Sequence, residues 1–356
     1  MNDRLSPGET IGILGGGQLA RMLALAAARL GLSCHIFAPE ADSPAFSVST
    51  RATLGDYRDE AALAAFSASV SAITYEFENV PVETVRFLEG LRPVRPGSKA
   101  LEVTQDRLAE KRLARALGAR TADFAEVNSL DDLKAAIDRI GLPAVLKTNR
   151  FGYDGKGQAK ILTAAEIAAA FAILRGQQGI LESFVRFDRE VSVVATRGVE
   201  GAFAAFDVTE NEHRNHILHR SVVPATISGT AAREAIATAR KIAEALDYVG
   251  TFAVEFFLVD EAGQVIVNEI APRVHNSGHW TMDGAFTCQF EQHIRAVAGW
   301  PLGDTTRLGS VEMINLIGSD AARWHEILAD GRAHLHLYGK TEMRDGRKMG
   351  HVNRLL

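Results

Sequence analysis

Two glutamates interrupt apolar runs in the segment TFAVEFFLVDEAGQVIVNEIAPR, residues 251–273. The turn signal at residues 260–263 predicts a β hairpin that places Glu255 opposite Glu269 or one position away, and a bulge or a longer loop would align them. Facing residues of such a hairpin lie about 5 Å apart at Cβ. Carboxylates that close repel each other unless a cation or a proton lies between them. Since such oxygen ligands suit magnesium held together with substrate phosphates, the pair predicts a magnesium site.

Two other interpretations of this pair remain open from the residues alone. Paired carboxylates can serve as acid and base, as in a glycosidase, or one of them can form a salt bridge with the nearby Arg273. A lysine and a glycine-rich loop upstream favour the metal site, because both are common beside nucleotide phosphates.

The glycine-rich loop has the sequence NRFGYDGKGQAK, residues 149–160, and Lys147 ends the apolar run just before it. Its spacing differs from that of a Walker loop, which ends Gly-Lys-Ser/Thr and opens a helix. The apolar segments PAVLK and QAKIL flank the loop, so the pattern predicts the tip of a β hairpin. Such a tip can close over a triphosphate, donate backbone N–H groups and exclude water. A hairpin tip without any ligand is the alternative.

Two further acids follow this loop at the ends of apolar segments. Glu182 lies near the end of GILESF, and Glu190 lies at the start of REVSVVATR. An acid at a strand end beside a nucleotide can accept a hydrogen bond from an adenine amine or a ribose hydroxyl. Taken singly, each is equally well explained as an ordinary surface glutamate.

A second glycine cluster, GILGGGQLA, lies near the N-terminus between an apolar run and an alanine-rich helical segment. Gly15, Gly17 and Ala20 fit a dinucleotide-binding turn, and Glu40 lies about where a ribose-binding acid would be. Glycines there let the backbone approach an anion at a positive helix terminus. The motif alone leaves three options open: NAD, another phosphorylated or polar ligand, or tight packing without a ligand.

The composition sets the broad class. The 356 residues are 47% hydrophobic and 23% charged, and the net charge of −5 excludes a global field that would recruit nucleic acid. Cys34 and Cys288 are far apart and outside any CxxC pair, which predicts a reducing cytoplasm. The polar, glycine-rich start is unlike a signal peptide, and no run reaches the length of a membrane span.

The motifs together resemble the ATP-grasp superfamily. Within it, GGGQLARM, YEFENV, GYDGKGQ, NEIAPRVHNSGHW, MINLIGS and GRKMGHVN are similar to the 5-(carboxyamino)imidazole ribonucleotide synthases of purine biosynthesis. The resemblance runs from about residue 11 to 353, and it leads us to expect some further residues after the final GHVNRLL.

The resemblance implies an α/β (α+β) architecture with the ATP-grasp fold. A Rossmann-like parallel α/β domain would occupy residues 1–97, and the ATP-grasp domain residues 98–296, with a flap subdomain at about 118–185. Residues 297–356 would form a small C-terminal domain that contributes to the ribonucleotide phosphate site. Strand–helix–strand intervals in the first hundred residues independently predict a parallel α/β unit.

The resemblance also implies a reaction. ATP, bicarbonate and 5-aminoimidazole ribonucleotide would give the carbamate, ADP and phosphate, with carboxyphosphate formed first. Magnesium, or manganese in its place, would bind Glu255 and Glu269. The residues implied for ATP are Arg107, Lys147, Gly152, Tyr153, Asp154, Gly155, Lys156, Gly157, Gln158, Glu182, Ser183, Phe184, Val185, Glu190, His213, Asn268 and Glu269.

The ribonucleotide needs contacts to its phosphate, ribose and amine. The tail around GKTEMRDGRKMG is locally basic, which suits a monophosphate, although a solvated basic hairpin is the alternative. The residues implied for this substrate are Gln18, Leu19, Glu76, Tyr153, Asp154, Arg273, His275, Lys340, Arg347 and Lys348. Catalytic roles are implied for Arg273, His275, Asn276 and Asp154. Arg273 would grip bicarbonate with two hydrogen bonds and His275 would transfer a proton, whereas Glu76 and Asp154 could instead bond local backbone.

Other functions set against this one are a formate-using ribotide transformylase, a biotin carboxylase, an NAD-dependent oxidoreductase and a nucleotide-binding module without catalysis. The resemblance further implies a homodimer and a hand-off of the labile carbamate to a mutase. No nucleic acid or membrane partner is expected.

Overall fold

The computed structural model describes residues 4–150, 157–259 and 263–356. Strands of these residues form three sheets, which come from three successive parts of the chain. Within the described residues, no helix combines the length and the apolar character that a membrane span requires.

The first sheet is parallel, with the strand order β3-β2-β1-β4. This part consists of β1 Thr10–Leu14, α1 Gln18–Arg29, β2 Ser33–Ala38, β3 Arg51–Leu54, α2 Glu60–Ala68, β4 Ala72–Tyr75, α3 Val82–Glu89 and α4 Ser98–Thr104. The strands β1, β2 and β4 are almost entirely buried, as expected for a parallel sheet covered on both faces. The predicted N-terminal parallel α/β unit is confirmed.

The second sheet is antiparallel, with the order β5-β8-β6-β7. This part consists of α5 Arg107–Ala116, β5 Phe124–Val127, α6 Leu130–Ile140, β6 Ala144–Thr148, β7 Gln158–Ile161, α7 Ile167–Phe171 and β8 Gly179–Ser183. Strands β6 and β7 pair directly, with Lys147 opposite Gln158. The glycine-rich loop therefore joins two antiparallel neighbours, as predicted.

The third sheet follows the path β14-β13-β9-β11-β12-β15-β17-β16, and β10 pairs with β9. Its strands are β9 Arg189–Arg197, β10 Phe203–Ala205, β11 Thr209–Arg214, β12 Ile217–Val223, β13 Gly250–Val259, β14 Gln264–Ala271, β15 Val311–Ile317, β16 Ala333–Leu337 and β17 Lys348–Leu355. Its helices are α8 Gly229–Ala245, α9 Thr281–Gly284, α10 Gln289–Val297 and α11 Trp324–Leu328. Strand β15 pairs with β12, so the last three strands extend the central sheet instead of forming a sheet of their own.

Helix α10 connects the first part of the chain to the third sheet. It packs on β13 and on α1, and its Phe290 and Ile294 share one apolar cluster with Leu23 and Ile13. This shared core fixes the N-terminal glycine turn relative to the central sheet.

The hairpin of β13 and β14 places Glu255 opposite Glu269. The ladder is regular as far as the pair Phe256 and Val267, and a bulge then skips Asn268. In a regular ladder, with no residue skipped, Glu255 would face Asn268, so the bulge aligns the two acids. The predicted register, including the irregularity needed to reach it, is confirmed.

Candidate active site

Lys147 and Glu182 lie on neighbouring strands, β6 and β8, and form a buried ion pair. Nζ of Lys147 is 2.9 Å from Oε2 of Glu182, and Nζ of Lys111 on α5 is 3.7 Å from Oε1. Burial alone would raise the pKa of Glu182, but the two ammonium groups outweigh it and lower the pKa to about 2. The ionised carboxylate thus holds Lys147 at the foot of the glycine-rich hairpin, where a nucleotide phosphate would need a cation.

The residues that continue from Glu182 complete β8 and lead out of the second sheet. Oγ of Ser183 accepts a backbone N–H at 3.0 Å, and Nζ of Lys160 lies 3.9 Å from the ring centroid of Phe184. Val185 is half-buried, and so is Gln158 across from Lys147. Of these predicted nucleotide contacts, Gln158 therefore lies beside Lys147, whereas Ser183 pairs with Ala144 at the other end of β6.

The loop tip, residues 151–156, lies outside the described residues, and with it lie the predicted contacts Gly152, Tyr153, Asp154, Gly155 and Lys156. Gly157 follows directly, with φ of 73°. A Cβ there would come 2.7 Å from Oγ1 of Thr148. Both the backbone conformation and this contact require glycine where the hairpin returns to the sheet.

Helix α5 links the second sheet to the third. The side chain of Asp106 caps its first turn, and the Asn149 side chain, just after β6, accepts from the same turn at 3.0 Å. Nη1 of Arg107 lies 3.7 Å from Oε2 of Glu269 on β14. The strand that carries Lys147 and the strand that carries Glu269 are therefore joined at the start of one helix.

Glu190 and His213, both predicted nucleotide contacts, bond each other. Nδ1 of His213 on β11 is 2.8 Å from Oε2 of Glu190 on β9. Burial lowers the pKa of His213, but the carboxylate outweighs it, and the pKa is raised overall. Both residues lie on the third sheet, in which β9 is next to β13 and β11 follows β9, and the charges of His213 and Glu255 shift each other's pKa.

Glu255 is paired with His275. Oε1 of Glu255 is 3.0 Å from Nε2 of His275, whose Nδ1 is 2.8 Å from Oγ of Ser277. Burial would raise the pKa of Glu255, but the hydrogen bond and charge of His275, with the charges of His213 and Lys348, lower it to about 2. Glu255 is therefore a carboxylate at neutral pH, as a metal ligand must be.

The donor set fits a divalent ion that arrives with a nucleotide. The side chains of Glu255 and Glu269 are 15% and 43% exposed, so ligands can reach both. Among the described residues, no group of three or more His, Cys, Asp or Glu side chains could hold a metal ion by itself. An ion at this pair would therefore need further oxygen ligands, which nucleotide phosphates supply for magnesium.

Arg273 pairs with Glu78 and not with Glu255 or Glu269. Its Nε and Nη2 donate to the two oxygens of Glu78, the latter at 2.9 Å. Burial would raise the pKa of Glu78, but the guanidinium lowers it to about 2. The alternative salt bridge from Arg273 to the glutamate pair does not form. Glu78 occupies the Nε–Nη2 edge of the guanidinium, and Nη1 donates to the carbonyl of Val274 at 3.3 Å, so a contact with bicarbonate has to use the remaining N–H groups of Nη1 and Nη2.

This ion pair predicts a stability effect. We expect Glu78→Gln to lower the free energy of unfolding by about 2 kcal/mol at pH 7, since removing one partner leaves the Arg273 charge poorly compensated. The figure lies below that of a fully buried pair because the Glu78 side chain is 30% exposed. Urea unfolding of both proteins measures it.

The pH dependence of the free energy of unfolding tests the same ion pair. Because the folded pKa of Glu78 is below its ordinary value of 4.5, its contribution is present above about pH 4.5 and is lost as the pH falls toward 2. The difference between wild type and variant should therefore shrink in acid. The matched control is Glu326→Gln, which breaks an exposed pair with Arg323 and should change stability by less than about 0.5 kcal/mol. Equal stability of Glu78→Gln and wild type at pH 7 would contradict the argument.

Asn276 is tied to the C-terminal strands. Its Nδ2 donates to Oδ1 of Asn315 on β15 at 3.0 Å, and Nδ2 of Asn315 donates back at 2.5 Å. The turn after β14, which also carries His275, is thereby held against the strands that lead to the basic tail.

Glu76 fills the anion position of the first glycine turn. Its Oε1 accepts from the N–H of Gly17 at 2.5 Å and its Oε2 from that of Ala20 at 2.9 Å, at the start of α1. A dinucleotide pyrophosphate would need the same N–H groups, so this arrangement argues against NAD here. The predicted substrate contacts Gln18 and Leu19 open the same helix, the first half-buried and the second buried.

Three cations gather in the basic tail. Nζ of Lys340 donates to the carbonyl of Lys348 at 2.8 Å, and Nη1 of Arg347 donates to that of Glu342 at 2.9 Å. Burial, together with the charges of Arg347 and Lys348, lowers the pKa of Lys340 to about 8, although Glu76 opposes this. A bound anion would relieve this repulsion, which is the behaviour of a phosphate pocket.

Mutual charge effects show that these parts face one another. Burial raises the pKa of Glu76, whereas Arg273 and Lys340 act to lower it. Lys348 in turn acts to lower the pKa of Glu255. The N-terminal turn, the acid hairpin and the C-terminal strands therefore border one polar site.

Three charged residues of this site escaped the sequence analysis: Glu78, Glu110 and Lys111. Glu78 had a usable signal, because it follows Glu76 by two residues in YEFENV and so shares a face with it in extended chain. Nothing in RLAEKRLARA distinguishes Lys111 from the exposed cations of the same helix, since its role depends on a strand more than 150 residues away.

Family models match three successive parts of the chain. The model described as the ribonucleotide synthetase preATP-grasp domain matches residues 8–105, and the ATP-grasp domain matches residues 112–290. The phosphoribosylaminoimidazole carboxylase C-terminal domain matches residues 312–356. The ATP-grasp match alone covers half of the chain.

Similar proteins agree over nearly the whole length. The N5-carboxyaminoimidazole ribonucleotide synthase of Brucella melitensis biotype 1 is 49% identical over 353 residues, covering 99% of this chain and 97% of that protein. A crystal structure of the ADP complex of an N5-carboxyaminoimidazole ribonucleotide synthetase has a TM-score of 0.96 at 41% identity, covering 100% of this chain and 94% of the other. The Aspergillus clavatus enzyme in complex with ADP and 5-aminoimidazole ribonucleotide has a TM-score of 0.89 at 27% identity, covering 98% and 94%.

Proposed function

The chain belongs to the N5-carboxyaminoimidazole ribonucleotide synthase family of ATP-grasp ligases, and from this premise we propose its reaction. It carboxylates 5-aminoimidazole ribonucleotide with bicarbonate, at the expense of ATP, in purine biosynthesis. The observation that carries the proposal is the likeness over 99% of the chain at 49% identity. The matched C-terminal domain separates this enzyme from other ATP-grasp ligases such as the transformylase and the biotin carboxylase.

ATP lies between the second and third sheets in this proposal. Its phosphates lie near Lys147, which Glu182 holds, and near Arg107 at the start of α5. Glu190 and His213 lie on the strands beyond β13 and serve the other end of the nucleotide. The remaining predicted ATP contacts, including those of the loop tip, keep their proposed roles.

A divalent ion, for which we propose magnesium, neutralises charge on the phosphates when it is bound. Glu255 and Glu269 would hold it, and the chain arranges both carboxylates without it. Arg107 lies near Glu269, and His275 bonds Glu255, so each acid is oriented by one neighbour.

Bicarbonate attacks the γ-phosphorus of ATP, which gives carboxyphosphate and releases ADP. The amine nitrogen of the ribonucleotide then attacks the carboxyphosphate carbon, or carbon dioxide released from it, and phosphate departs. The N–H groups of Arg273 Nη1 and Nη2 that bond neither Glu78 nor the carbonyl of Val274 would donate to the bicarbonate oxygens. The two ring nitrogens of His275 bond Glu255 and Ser277, so its proposed role in taking the proton that the amine loses requires one of these hydrogen bonds to be exchanged for the substrate.

The ribonucleotide lies between the first glycine turn and the C-terminal strands. Lys340, Arg347 and Lys348 bind its phosphate, whose negative charge would offset the repulsion that helps to lower the pKa of Lys340. Gln18 and Leu19 contact the ribose side. Both oxygens of Glu76 accept backbone N–H groups, so a substrate contact there would use a second lone pair.

A phosphate-release assay tests this function. With ATP, magnesium and bicarbonate present, phosphate release should depend on 5-aminoimidazole ribonucleotide or be strongly raised by it. Formate in place of bicarbonate, and biotin in place of the ribonucleotide, serve as controls and should not substitute. Absence of turnover with the complete mixture would end the proposal, and saturable NAD binding would revive the oxidoreductase alternative.

Three further features are proposals as well. A homodimer and a hand-off of the labile carbamate to a mutase follow from the family resemblance. The cytoplasm is the proposed location, which the free thiols of Cys34 and Cys288 support.

A further inference from the structure

Two neighbouring ionisable residues of α5 are buried against the hairpin of β13 and β14. Lys111 is 1% exposed and Glu110 is 3% exposed. Lysine and glutamate are rarely buried to this degree unless a specific partner holds them. Both side chains form hydrogen bonds with backbone atoms of β14 close to Glu269.

The two side chains bond the strand on both sides of Glu269. Nζ of Lys111 donates to the carbonyl of Asn268 at 2.6 Å and to that of Val267 at 3.2 Å. Oε2 of Glu110 accepts from the N–H of Ile270 at 2.9 Å.

These bonds fall where the hairpin ladder is interrupted. The bulge skips Asn268, and a bulged residue leaves its backbone groups outside the regular ladder. Buried carbonyls without a donor are costly, so an isolated hairpin would favour the regular ladder. That ladder would put Asn268 opposite Glu255 and turn Glu269 to the other face.

We propose that Lys111 and Glu110 are positioning residues that hold this bulge and thereby keep Glu269 opposite Glu255. The inference rests on the proposed function and deepens it, because it names what sets the geometry of the metal acids. Lys111 also lies 3.7 Å from Oε1 of Glu182, so the same ammonium connects the hairpin to the carboxylate that orients Lys147.

The first test measures the affinity of the full-length protein for manganese–ADP. Electron paramagnetic resonance gives the concentration of free manganese at each point of the titration. Lys111→Met keeps an unbranched side chain one atom shorter and removes the N–H donors. We expect manganese–ADP affinity to fall about 10- to 100-fold, the range found when partners that orient metal ligands are removed. Glu110→Leu removes the acceptor for Ile270, should shift affinity in the same direction, and serves if Lys111→Met does not fold.

A double-mutant cycle separates positioning from general loss of stability. If Lys111 acts through Glu269, then adding Lys111→Met to Glu269→Gln should weaken manganese–ADP binding by less than about threefold further. A full 10- to 100-fold loss on top of Glu269→Gln would overturn the inference. Lys241→Met is the matched control, because Lys241 is an exposed lysine that also donates to a carbonyl, that of Leu117, and it should leave affinity unchanged.

The outcomes distinguish this inference from the function beneath it. The proposed metal site itself would be overturned if the wild-type protein bound no manganese–ADP. It would also be overturned if wild type and Glu269→Gln bound manganese–ADP with the same affinity. Normal wild-type binding, a loss in Glu269→Gln and unchanged affinity in both Lys111→Met and Glu110→Leu would overturn only the positioning role.

Discussion

Replacing Glu269 with glutamine is expected to slow ribonucleotide-dependent phosphate release about a thousandfold, which corresponds to about 4 kcal/mol of transition-state stabilisation. Glutamine has nearly the same size and keeps one oxygen, so the β14 backbone should stay in place. It removes the negative charge that faces Glu255 and lies 3.7 Å from Arg107. The site then offers a divalent ion one carboxylate in place of two. The measurement is steady-state phosphate release with ATP, bicarbonate and magnesium all saturating.

The same variant separates an enzyme from a nucleotide-binding module. ADP binding in the absence of a divalent ion should change little, because Lys147 and Glu182 are untouched by the substitution. Glu326→Gln is the control, since that carboxylate is exposed and pairs with the neighbouring Arg323. Turnover of Glu269→Gln within about threefold of wild type, a factor worth less than 1 kcal/mol, would refute the two-acid site.

The hairpin was accessible from sequence because its pattern is local. Glu255 and Glu269 are fourteen residues apart in one continuous apolar segment, and the turn between them limits the register to a few choices. The bulge that selects the register depends on Lys111, which belongs to a helix far upstream. The local pattern of β13 and β14 therefore predicted that Glu255 and Glu269 face each other. The contacts that hold the bulge could be found only from the tertiary structure.

Contacts between segments far apart in the sequence limited the prediction of the rest of the fold in the same way. Successive strands are usually neighbours, so β15 would be expected beside β14 or in a sheet of its own. It pairs instead with β12, more than eighty residues earlier. The ion pair between Glu78 and Arg273 spans 195 residues and likewise left no local pattern. Chemistry-bearing residues were recognisable from their types, but partners brought together by the fold were not.

The two lysines of the site should divide the substrates between them. Lys147→Ala removes the cation held by Glu182, and we expect ADP affinity to fall about 10- to 100-fold, as for loss of a charge-assisted hydrogen bond of 1.5–3 kcal/mol, with ribonucleotide affinity nearly unchanged. Lys340→Ala should do the reverse, because Lys340 lies with Arg347 and Lys348 and not with the second sheet. Calorimetric titration of each ligand measures both, with the exposed Lys134→Ala as control.

The pH dependence of ribonucleotide binding tests the role of Lys340 separately. Its pKa is lowered to about 8, so the ammonium that attracts the phosphate is present below that pH and is lost as the pH rises through it. Wild-type affinity for the ribonucleotide should therefore fall above pH 8 and approach that of Lys340→Ala, and the difference between them should be largest near pH 7. ADP affinity should not follow this curve. If both substitutions weakened ADP equally, the phosphate pocket would not be separate from the nucleotide site, and the C-terminal strands would have to serve ATP.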